Sequence, residues 1–487
     1  MVVLLILLMG SWLRFHALAR DVRFHPDEAL FSTFARAAAL NGEWLLPGAL
    51  DKTPLAIYAN ALAQVFVGDS EFAARLPGAL ASVLLMAAMY ALAKALYPRS
   101  PLVPLISLTL TAISPFAIAF SATALTDGLM LLLMTLALWL AARGRWLWCG
   151  VLLGLAFASK QQALFYVPLF IMLAPAVINK GRIRHAPAHA PVFSGFARFF
   201  VGFGTVTLML LLWDGARGDS SLFALATANN NPARLIRADE ILPRLGSWAA
   251  YSGTLLGPGV FTLLLALFVL GALVYRSVKQ ARHRSTLIDV ILFTYLAGYG
   301  WLHWLVAFNT YDRYLLPVLP LAILLATRGI ELLHDLAAPF RLPKTVLAWV
   351  LLLVLAWGAF AASSGETNIN NEGVKYEGID SLAAYLNSQP VATVIYDHWL
   401  GWQLDYYLGE WHDKRRVYYP TPDALVQDAL KLCETGARYL PAPAGEAVGP
   451  WLEALRTAGF TVTEAYRSPR FAAYKLLPPA NRAEVCL

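Results

Sequence analysis

Long runs of apolar residues constrain the fold of this chain more than any other feature. Several of them approach or exceed the ~20 residues with which a helix crosses a bilayer. The 487-residue chain is 58% hydrophobic and 14% charged, whereas about 25% of the residues in a soluble domain are charged. The sequence therefore predicts an α-helical polytopic membrane protein and excludes a soluble globular one.

We expect about eleven transmembrane helices, given the length that a bilayer requires. The predicted spans lie near residues 1–18, 73–97, 101–119, 126–142, 146–160, 163–179, 195–213, 251–275, 286–307, 314–328 and 344–362. The first apolar stretch, Val2 to Trp12, resembles the core of a signal peptide. No small-residue cleavage site follows it before His25, so it is interpreted as a retained span. A natural start upstream of Met1 stays open.

The charges of the short loops predict which side of the membrane each loop faces. The loops at 93–101, 142–146, 179–194 and 275–285 contain many cations and no Asp or Glu. They include Lys94, Arg99, Arg143, Arg145, Lys180, Arg182, Arg184, Arg276, Lys279, Arg282 and Arg284. By the positive-inside rule these loops are cytoplasmic. The net charge of +7 thus reflects topology, and no nucleic-acid partner is expected.

The same topology predicts an inner (cytoplasmic) membrane protein with an odd number of spans and an extracytoplasmic tail. A transmembrane module covers residues 1–362, with a first outer loop at 19–72. That loop is expected to hold two interfacial helices, near 27–40 and 55–66, the second opened by Thr53-Pro54 with Pro in the first helical turn. One irregular connector is the alternative. In the tail, 363–487, apolar runs alternate with charged residues and predict a small α/β domain.

Within the tail, helices are predicted at 379–387, 399–408, 424–432 and 451–458, and strands at 391–396, 416–419, 437–440 and 460–464. Thr421 is the expected cap of the third helix. Cys433 and Cys486 have the potential to pair in an oxidising compartment, and Cys149 lies in a span. The sequence shows no cysteine spacing typical of a metal site.

Ionisable residues gather where the predicted spans meet the outer face. Charges near lipid are costly and tend to be kept for function. The candidates are Asp27, Glu28, Asp51, Lys52, Arg75, Asp127, Lys160, Asp312, Arg313 and Tyr314.

Several of these residues also have a purely structural interpretation. Arg75 is in a position to anchor its span at the interface, and Lys160 to reach toward the lipid headgroups. Asp127 follows Thr126 in a sequence that favours a helix N-terminus, and Asp27 lies where acidic residues favour a first helical turn. A purely structural role is harder to assign to all of these residues together than to each one alone. The predicted topology places every one of these acidic and basic side chains at the outer face of the membrane.

Carboxylates and several cations at a lipid surface suit the transfer of a group from a lipid phosphate. A carboxylate takes the proton of an acceptor hydroxyl, while Lys and Arg side chains bind the phosphate leaving group. Nucleotide sugars are absent outside the cell, so a sugar donor there would be bound to the membrane.

The order of six motifs resembles one family of membrane enzymes. HPDE follows the first span, DKTPL lies later in the same loop, and RLP enters the second span. TDG, GLAFASK and DRYLLPVLP follow at the third, fifth and tenth spans. This set resembles the GT-C glycosyltransferases of family 39, the protein O-mannosyltransferases and aminoarabinose lipid A transferases, over roughly residues 1–330.

The resemblance implies an inverting hexosyl- or pentosyltransferase that uses a polyprenyl-phosphate-linked sugar. It implies that Asp27 is the general base, with Glu28 orienting the loop or the acceptor, and that Asp127 is a second catalytic carboxylate. Lys52 and Arg313, with Tyr314 beside it, would contact the donor phosphate, as would Arg75 and Lys160 with weaker support. Thr53 departs from the proline that is usual in the family.

The resemblance leaves the acceptor open among protein, lipid and glycan. No cofactor is expected; a divalent metal on His25 and Glu28 is possible, but none is predicted to be required, since two ligands are weak evidence for a site. The alternative function is a transporter or flippase of lipid-linked sugars. That class is expected to carry charges near the bilayer midplane and repeated broken helices, and neither pattern is clear in this chain.

Overall fold

The computed structural model describes residues 1–178, 190–230, 234–257, 259–280, 283–337, 344–410, 412–432 and 436–479. Cys433 and Cys486, whose pairing the sequence left open, lie outside these ranges, as do parts of the predicted loops at 179–194 and 275–285. Cys149 is a buried free thiol.

The α-helices are, in chain order, α1 Val2–Leu18, α2 Pro26–Asn41, α3 Leu55–Val67, α4 Glu71–Leu96, α5 Leu102–Ile113, α6 Pro115–Ala119, α7 Asp127–Ala142, α8 Trp146–Ser159, α9 Val167–Ile178, α10 Ala190–Ala216, α11 Leu222–Asn230, α12 Ile241–Ser252, α13 Gly259–Lys279, α14 Arg284–Leu305, α15 Leu319–Ala337, α16 Lys344–Ser364, α17 Ile379–Asn387, α18 Gly401–Leu408, α19 Pro422–Lys431 and α20 Gly449–Thr457. Turns of 3-10 helix lie at Gln161–Tyr166, Ala238–Glu240, Asp312–Val318 and Glu372–Tyr376. The strands are β1 Val394–Asp397, β2 Arg415–Tyr418, β3 Arg438–Pro443, β4 Thr461–Arg467 and β5 Phe471–Leu477.

The chain divides into two compact units. The membrane unit comprises Met1–Arg20 and Ala38–Asn370, and the C-terminal unit comprises Asp21–Ala37 and Asn371–Leu487. The segment Asp21–Ala37, which begins the predicted first outer loop, is thus grouped with the C-terminal domain. The predicted boundary between domains at residue 362 stays a prediction.

Five helical segments of the described residues are long and apolar enough to cross a membrane. They are Glu71–Leu96, Phe193–Ala216, Gly259–Lys279, Arg284–Leu305 and Asp312–His334. Shorter apolar helices lie in other predicted spans, among them α1, α5, α7 and α8. The predicted class, a polytopic helical membrane protein, agrees with this pattern, while the number eleven stays a prediction.

The predicted span at 101–119 is broken by Pro115, which begins α6 and has no N–H to continue α5. A break leaves the last carbonyls of α5 without helical donors. Arg14, fully buried on α1, supplies them: its guanidinium nitrogens lie 2.9 Å from the Thr111 oxygen and 3.1 Å from the Ala112 oxygen. The buried Arg14 guanidinium therefore provides hydrogen bonds to the carbonyl oxygens that the proline leaves without helical donors.

Close packing of α8 against α10 depends on glycine. A Cβ added to Gly150 would lie 2.0 Å from the carbonyl oxygen of Phe199, and one added to Gly202 would lie 2.3 Å from that of Leu147. Small residues let helix backbones approach in this way in membranes. This contact fixes the position of α8 against α10 and so helps to place the residues that follow α8.

A buried network of charges joins Tyr97, which follows α4, to α13, α14 and α15. Asp289 accepts a hydrogen bond from the Tyr97 hydroxyl at 2.7 Å and from Arg328 Nε at 3.1 Å, and Arg276 lies 3.7 Å away. Glu331 pairs with both arginines. These charges compensate one another, which lowers the cost of burying them.

The C-terminal domain contains a five-stranded sheet in the order β2-β1-β3-β5-β4. β1 is parallel to β2 and β3, while β5 is antiparallel to β3 and β4. Val394 and Tyr396 face a core with α19 and α20, and Ile395 faces the opposite core with α17 and α18. The α/β prediction for the tail is confirmed.

Individual elements of the tail agree with the sequence within a few residues. The helix at 379–387 is confirmed, and Thr421 caps α19 by accepting the Ala424 N–H at 3.2 Å. The strand β5 was not predicted.

In the first outer loop both predicted helices exist, as α2 and α3. Pro54, however, precedes α3 as its N-cap residue and is not in its first turn.

Candidate functional site

The centre of the candidate site in the membrane unit is an ion pair between Lys160 and Asp127. Asp127 is the first residue of α7, and Lys160 follows the last residue of α8 in an extended conformation. Lys160 Nζ lies 2.6 Å from Asp127 Oδ1, and the two side chains are only 9% and 3% exposed. Asp127 therefore does more than begin a helix: its charge is matched by a buried cation.

Lys52 lies in a loop that several polar contacts hold in place. Its ammonium lies 2.6 Å from Oδ2 of the neighbouring Asp51, and the same oxygen accepts a hydrogen bond from Asn230 Nδ2 at 3.0 Å. The backbone oxygen of Asp51 accepts from Gln161 Nε2 at 2.8 Å. Thr53, where the related family usually has proline, donates to the Phe157 oxygen at 2.9 Å. The loop and α8 are thereby joined.

Upstream, the same loop is held by Arg217 at the end of α10. Its guanidinium donates to the carbonyl oxygens of Leu46 at 3.0 Å and Gly48 at 2.7 Å, and Asp214 lies 3.4 Å from it. Leu46 has a φ of 50°, which non-glycine residues rarely adopt. The hydrogen bonds from buried Arg217 to these two carbonyl oxygens stabilise the backbone conformation of the loop. They thereby limit the positions that Lys52, later in the same loop, can reach.

Arg313 and Tyr314 begin the 3-10 turn Asp312–Val318. The Arg313 N–H donates to Asp312 Oδ1 at 2.7 Å, and its guanidinium lies 5.0 Å from the centre of the Tyr311 ring. Lys160 Nζ lies 5.6 Å from the centre of the Tyr314 ring. Cation–ring contacts of this kind are attractive, so this turn is directly connected to the Lys160–Asp127 pair.

Three consecutive residues connect the parts of this site. Lys160 contacts Asp127, and Gln161 holds the backbone of Asp51. Gln162 donates to the Tyr299 hydroxyl at 2.6 Å, which in turn donates to the backbone oxygen of Tyr314 at 2.7 Å. The short segment after α8 therefore fixes the relative positions of the Lys52 loop, α7 and the Arg313 turn.

The structure brings five of the predicted site residues into one region. Lys160 interacts electrostatically with Asp127, with Arg313 and with Lys52, and it also contacts Tyr314. The positive charges of Arg313 and Lys52 both act on Lys160, an effect that a low-dielectric surrounding strengthens. Such a gathering favours the binding of an anion.

Arg75, in the first turns of α4, belongs to the membrane unit and is 5% exposed. It is close enough to Arg20 to act on it: burial lowers the pKa of Arg20, and the positive charge of Arg75 lowers it further. Arg75 is thus a buried cation beside a second cation, at the base of the predicted second span.

Asp27 and Glu28 belong to the C-terminal unit. Both lie in the first turn of α2, where Glu28 is 3% exposed and its Oε2 accepts the His25 N–H at 3.1 Å. The Asp27 N–H donates to His25 Nδ1 at 3.0 Å, and His25 Nε2 lies 2.6 Å from Glu372 Oε2. The acidic pair is therefore unequal: Glu28 closes the helix N-terminus, and Asp27 is half-buried beside it.

The contacts of His25 also bear on metal binding. Its Nδ1 accepts a backbone N–H, so Nε2 carries the proton that is donated to Glu372. Both ring nitrogens are thus used by protein groups in this structure. Among the described residues, no group of three or more His, Cys, Asp or Glu side chains is arranged to hold a metal ion. The expectation that no metal is required stays a prediction.

Comparisons with known proteins agree with the motifs. Residues 51–201 match the family model described as dolichyl-phosphate-mannose-protein mannosyltransferase. A 177-residue stretch is 29% identical to the undecaprenyl phosphate-α-4-amino-4-deoxy-L-arabinose arabinosyl transferase of Edwardsiella ictaluri. That match covers 33% of this chain and 31% of the relative, so the similar region spans about a third of the relative's length.

The fold is shared along nearly the whole chain. ArnT from Cupriavidus metallidurans bound to undecaprenyl phosphate superposes with a TM-score of 0.67 at 14% identity, with 97% of each chain covered. The archaeal oligosaccharyltransferase AglB from Archaeoglobus fulgidus, in complex with an inhibitory peptide and a dolichol-phosphate, gives 0.54 at 13% identity, with 96% of this chain and 73% of that chain covered.

The protein therefore has the GT-C membrane fold, and the family resemblance inferred from the motifs is confirmed. Within that fold it is similar to ArnT and to the protein mannosyltransferases.

Sequence reasoning missed several residues that build the site. Gln161, Gln162, Tyr299 and Asn230 carry no recognisable motif, and all four act through contacts with residues distant in sequence. One signal was available: Gln161 and Gln162 directly follow Lys160, so two amides end an otherwise apolar run. Polar side chains at such a position suggest contacts that the membrane cannot supply.

Proposed function

We propose that this protein is an inverting glycosyltransferase that moves a monosaccharide from a polyprenyl phosphate to an acceptor hydroxyl. One observation carries the proposal: Lys160, which is paired with Asp127, lies close enough to Lys52 and Arg313 to interact with both charges, in a chain with the GT-C fold. A phosphate diester is the anion that a membrane-embedded cation cluster of this kind suits, and a relative with this fold is bound to undecaprenyl phosphate. The transferred sugar is a hexose or a pentose.

In the proposed reaction the acceptor oxygen attacks the anomeric carbon of the donor sugar from the face opposite the phosphate. The new carbon–oxygen bond forms as the bond to the phosphate oxygen breaks, so the configuration inverts. Asp27 takes the proton of the acceptor hydroxyl, and Glu28 keeps the loop of Asp27 in place. The polyprenyl phosphate leaves with the electron pair of the broken bond.

The cations stabilise the phosphate as its charge grows. Lys52 and Arg313 are the principal phosphate contacts, and Tyr314 orders the turn that carries Arg313. Lys160 acts mainly by matching the charge of Asp127, with a weaker direct effect on phosphate, and Arg75 contributes a further positive charge. Asp127 is the second acidic residue and helps to position the acceptor or the base. No divalent metal is required in this scheme.

We propose that the site and the C-terminal domain lie on the outer face of the inner membrane. The loops rich in Lys and Arg support this orientation through the positive-inside rule. Single cysteines are placed at position 27 and at position 279, in a chain without its natural cysteines. A membrane-impermeant maleimide added to intact cells should label position 27 and leave position 279 unlabelled. Labelling of both positions from one side would contradict the orientation.

Asp27 is the residue to test first. Asp27→Asn keeps the shape and removes the base, so transfer of radiolabelled sugar from undecaprenyl phosphate to envelope acceptors should fall at least 100-fold, the lower end of what a general base contributes, about 10²–10⁴-fold. Asp21→Asn is the matched control, because Asp21 is 81% exposed and precedes the same helix. A folded Asp27→Asn protein with unchanged turnover would remove the base assignment.

Donor binding is tested separately from chemistry. Lys52→Ala and Arg313→Ala should weaken the use of undecaprenyl-phosphate donors more than the use of acceptors, since both side chains are assigned to the phosphate. Equal effects on donor and acceptor would remove the phosphate assignment. The wild-type protein also tests the transporter alternative. If it binds the donor and moves it across the membrane without transferring the sugar, that alternative is favoured.

A further inference from the structure

The turn before α2 contains an unusual helix cap. In a capping box, the side chain of the N-cap residue accepts the N–H of the second or third helical residue, and a Glu at the third position accepts the N–H of the N-cap residue. Here His25 is in the N-cap position. Its Nδ1 accepts the Asp27 N–H at 3.0 Å, and Glu28 accepts the His25 N–H at 3.1 Å.

Histidine is a poor choice for capping alone, because Ser, Thr, Asp and Asn are preferred at this position. An imidazole has a second nitrogen, however, and Nε2 of His25 lies 2.6 Å from Oε2 of Glu372. Glu372 is the first residue of the 3-10 turn that leads into the C-terminal domain. His25 thus makes two contacts at once: Nδ1 caps the helix that carries Asp27, and Nε2 contacts the carboxylate of Glu372.

The carboxylate of Glu372 determines which nitrogen of His25 carries the proton. A carboxylate accepts, so Nε2 is protonated and Nδ1 keeps the lone pair that the Asp27 N–H requires. The other tautomer would set an N–H of the ring against the N–H of Asp27. The hydrogen bond to Glu372 therefore maintains the cap two residues away from the carboxylate assigned to the chemistry.

Further contacts within the C-terminal unit hold the same segment. The Tyr407 hydroxyl accepts the Phe24 N–H at 2.9 Å. A Cβ on Gly373 would lie 2.5 Å from the backbone oxygen of Arg23, so the turn after Glu372 packs directly against this segment. Arg36, later on α2, lies 4.2 Å from the Tyr406 ring and donates to the Tyr406 oxygen at 3.0 Å.

We propose that His25 and Glu372 are positioning residues for Asp27, so that the C-terminal unit, to which all three residues belong, fixes the turn that carries the proposed base. This inference rests on the proposed function in one respect, namely that Asp27 acts on the acceptor. The domain is then required for turnover even if it never touches the donor lipid. Its role is to hold the first turn of α2, through the Glu372–His25 hydrogen bond and the cap.

Replacements of His25 distinguish a role in hydrogen bonding at the N-cap from a role in filling space. His25→Ala removes the acceptor, so kcat should fall about 10-fold, since small displacements of a reacting group have effects of this size or larger. KM for the donor should change little, because Lys52 and Arg313 are untouched. His25→Asn restores an acceptor oxygen at the N-cap and should recover most of the lost kcat.

The same variants test the tautomer directly. Glu372→Gln should lower kcat in the wild-type background, because an amide does not fix the tautomer of His25. In the His25→Asn background Glu372→Gln should have no effect, since asparagine has no tautomer to fix. Glu377→Gln is the matched control: Glu377 is 72% exposed, lies in the same segment and pairs with Arg470. Equal losses from Glu372→Gln in both backgrounds would overturn the proposal.

A second measurement does not depend on activity. Amide hydrogen exchange of a peptide covering residues 25–29 should be faster in the His25→Ala and Glu372→Gln full-length proteins, and close to wild type in His25→Asn and Glu377→Gln. Unchanged exchange in Glu372→Gln would overturn the positioning role. Exchange as expected together with full activity of Asp27→Asn would show that the cap exists and that the proposed function has failed.

Discussion

The ammonium of Lys160 lies 2.6 Å from Asp127 Oδ1, although 33 residues separate the two in the chain. Asp127 begins α7, where the helix dipole favours a negative charge, and Lys160 follows the end of α8. Each side chain is nearly inaccessible to solvent, so each charge depends on the other. The position of Lys160 follows from this pair, and the adjoining Gln161 and Gln162 connect it to the rest of the candidate site.

The Lys160–Asp127 pair should show strong coupling in stability. Asp127→Asn and Lys160→Met should each lower the stability of the folded protein by about 3–5 kcal/mol, because each leaves a buried charge without its partner. The double variant should lose clearly less than the sum of the two. Thermal unfolding in detergent measures all three, and Arg145→Met, at an exposed position, is the control. Strictly additive losses would contradict the coupling.

Gln161 should affect donor use although it is not assigned to the phosphate. Gln161→Ala removes the hydrogen bond to the Asp51 oxygen, so the Lys52 loop should lose order, and KM for an undecaprenyl-phosphate donor should rise about 5-fold, the equivalent of one hydrogen bond. Gln161→Glu should be at least as harmful, because it places an acceptor opposite a carbonyl. Steady-state kinetics at varied donor concentration measure both. A fall in kcat with unchanged KM would argue against this role.

Arg14 should be important for stability and not for chemistry. Arg14→Met removes the donors to the carbonyl oxygens of Thr111 and Ala112 and to the Ser82 hydroxyl, so stability should fall by about 2–4 kcal/mol, the cost of leaving buried acceptors unsatisfied. Thermal unfolding in detergent tests this, again with Arg145→Met for comparison. A stable Arg14→Met protein would mean that the break at Pro115 is satisfied in another way.

The contact between α8 and α10 predicts a difference between two glycines. Gly150→Ala would place a Cβ 2.0 Å from the Phe199 oxygen and should force the helices apart, with a loss of about 1–3 kcal/mol from overpacking. Gly204→Ala, on α10, meets nothing within 4 Å and should stabilise its helix by about 1 kcal/mol or less. Unfolding temperatures of the two variants should therefore move in opposite directions. Similar shifts would show that α8 and α10 are not in such close contact.

Local patterns allowed much of the architecture to be predicted. Helix periodicity located α2, and an apolar run opened by Thr53-Pro54 located α3, since such patterns are properties of neighbouring residues alone. The break of the predicted span at 101–119 was missed although Pro115 lies in it. The strand β5 was missed as well, since it becomes a strand by pairing with β3 and β4, and such pairing is not a local property.

The sequence by itself determined that this is a membrane protein of the GT-C kind and which acids and bases are candidates, because hydrophobicity, charge and motif order are properties of the chain as written. Only the tertiary structure decided how those residues are paired. Lys160 is matched with Asp127, Lys52 with Asp51, and Asp27 lies in a helix turn capped by His25 and Glu28. These pairings depend on which distant segments pack together, and the cost of burying a charge selects the arrangements in which it is matched.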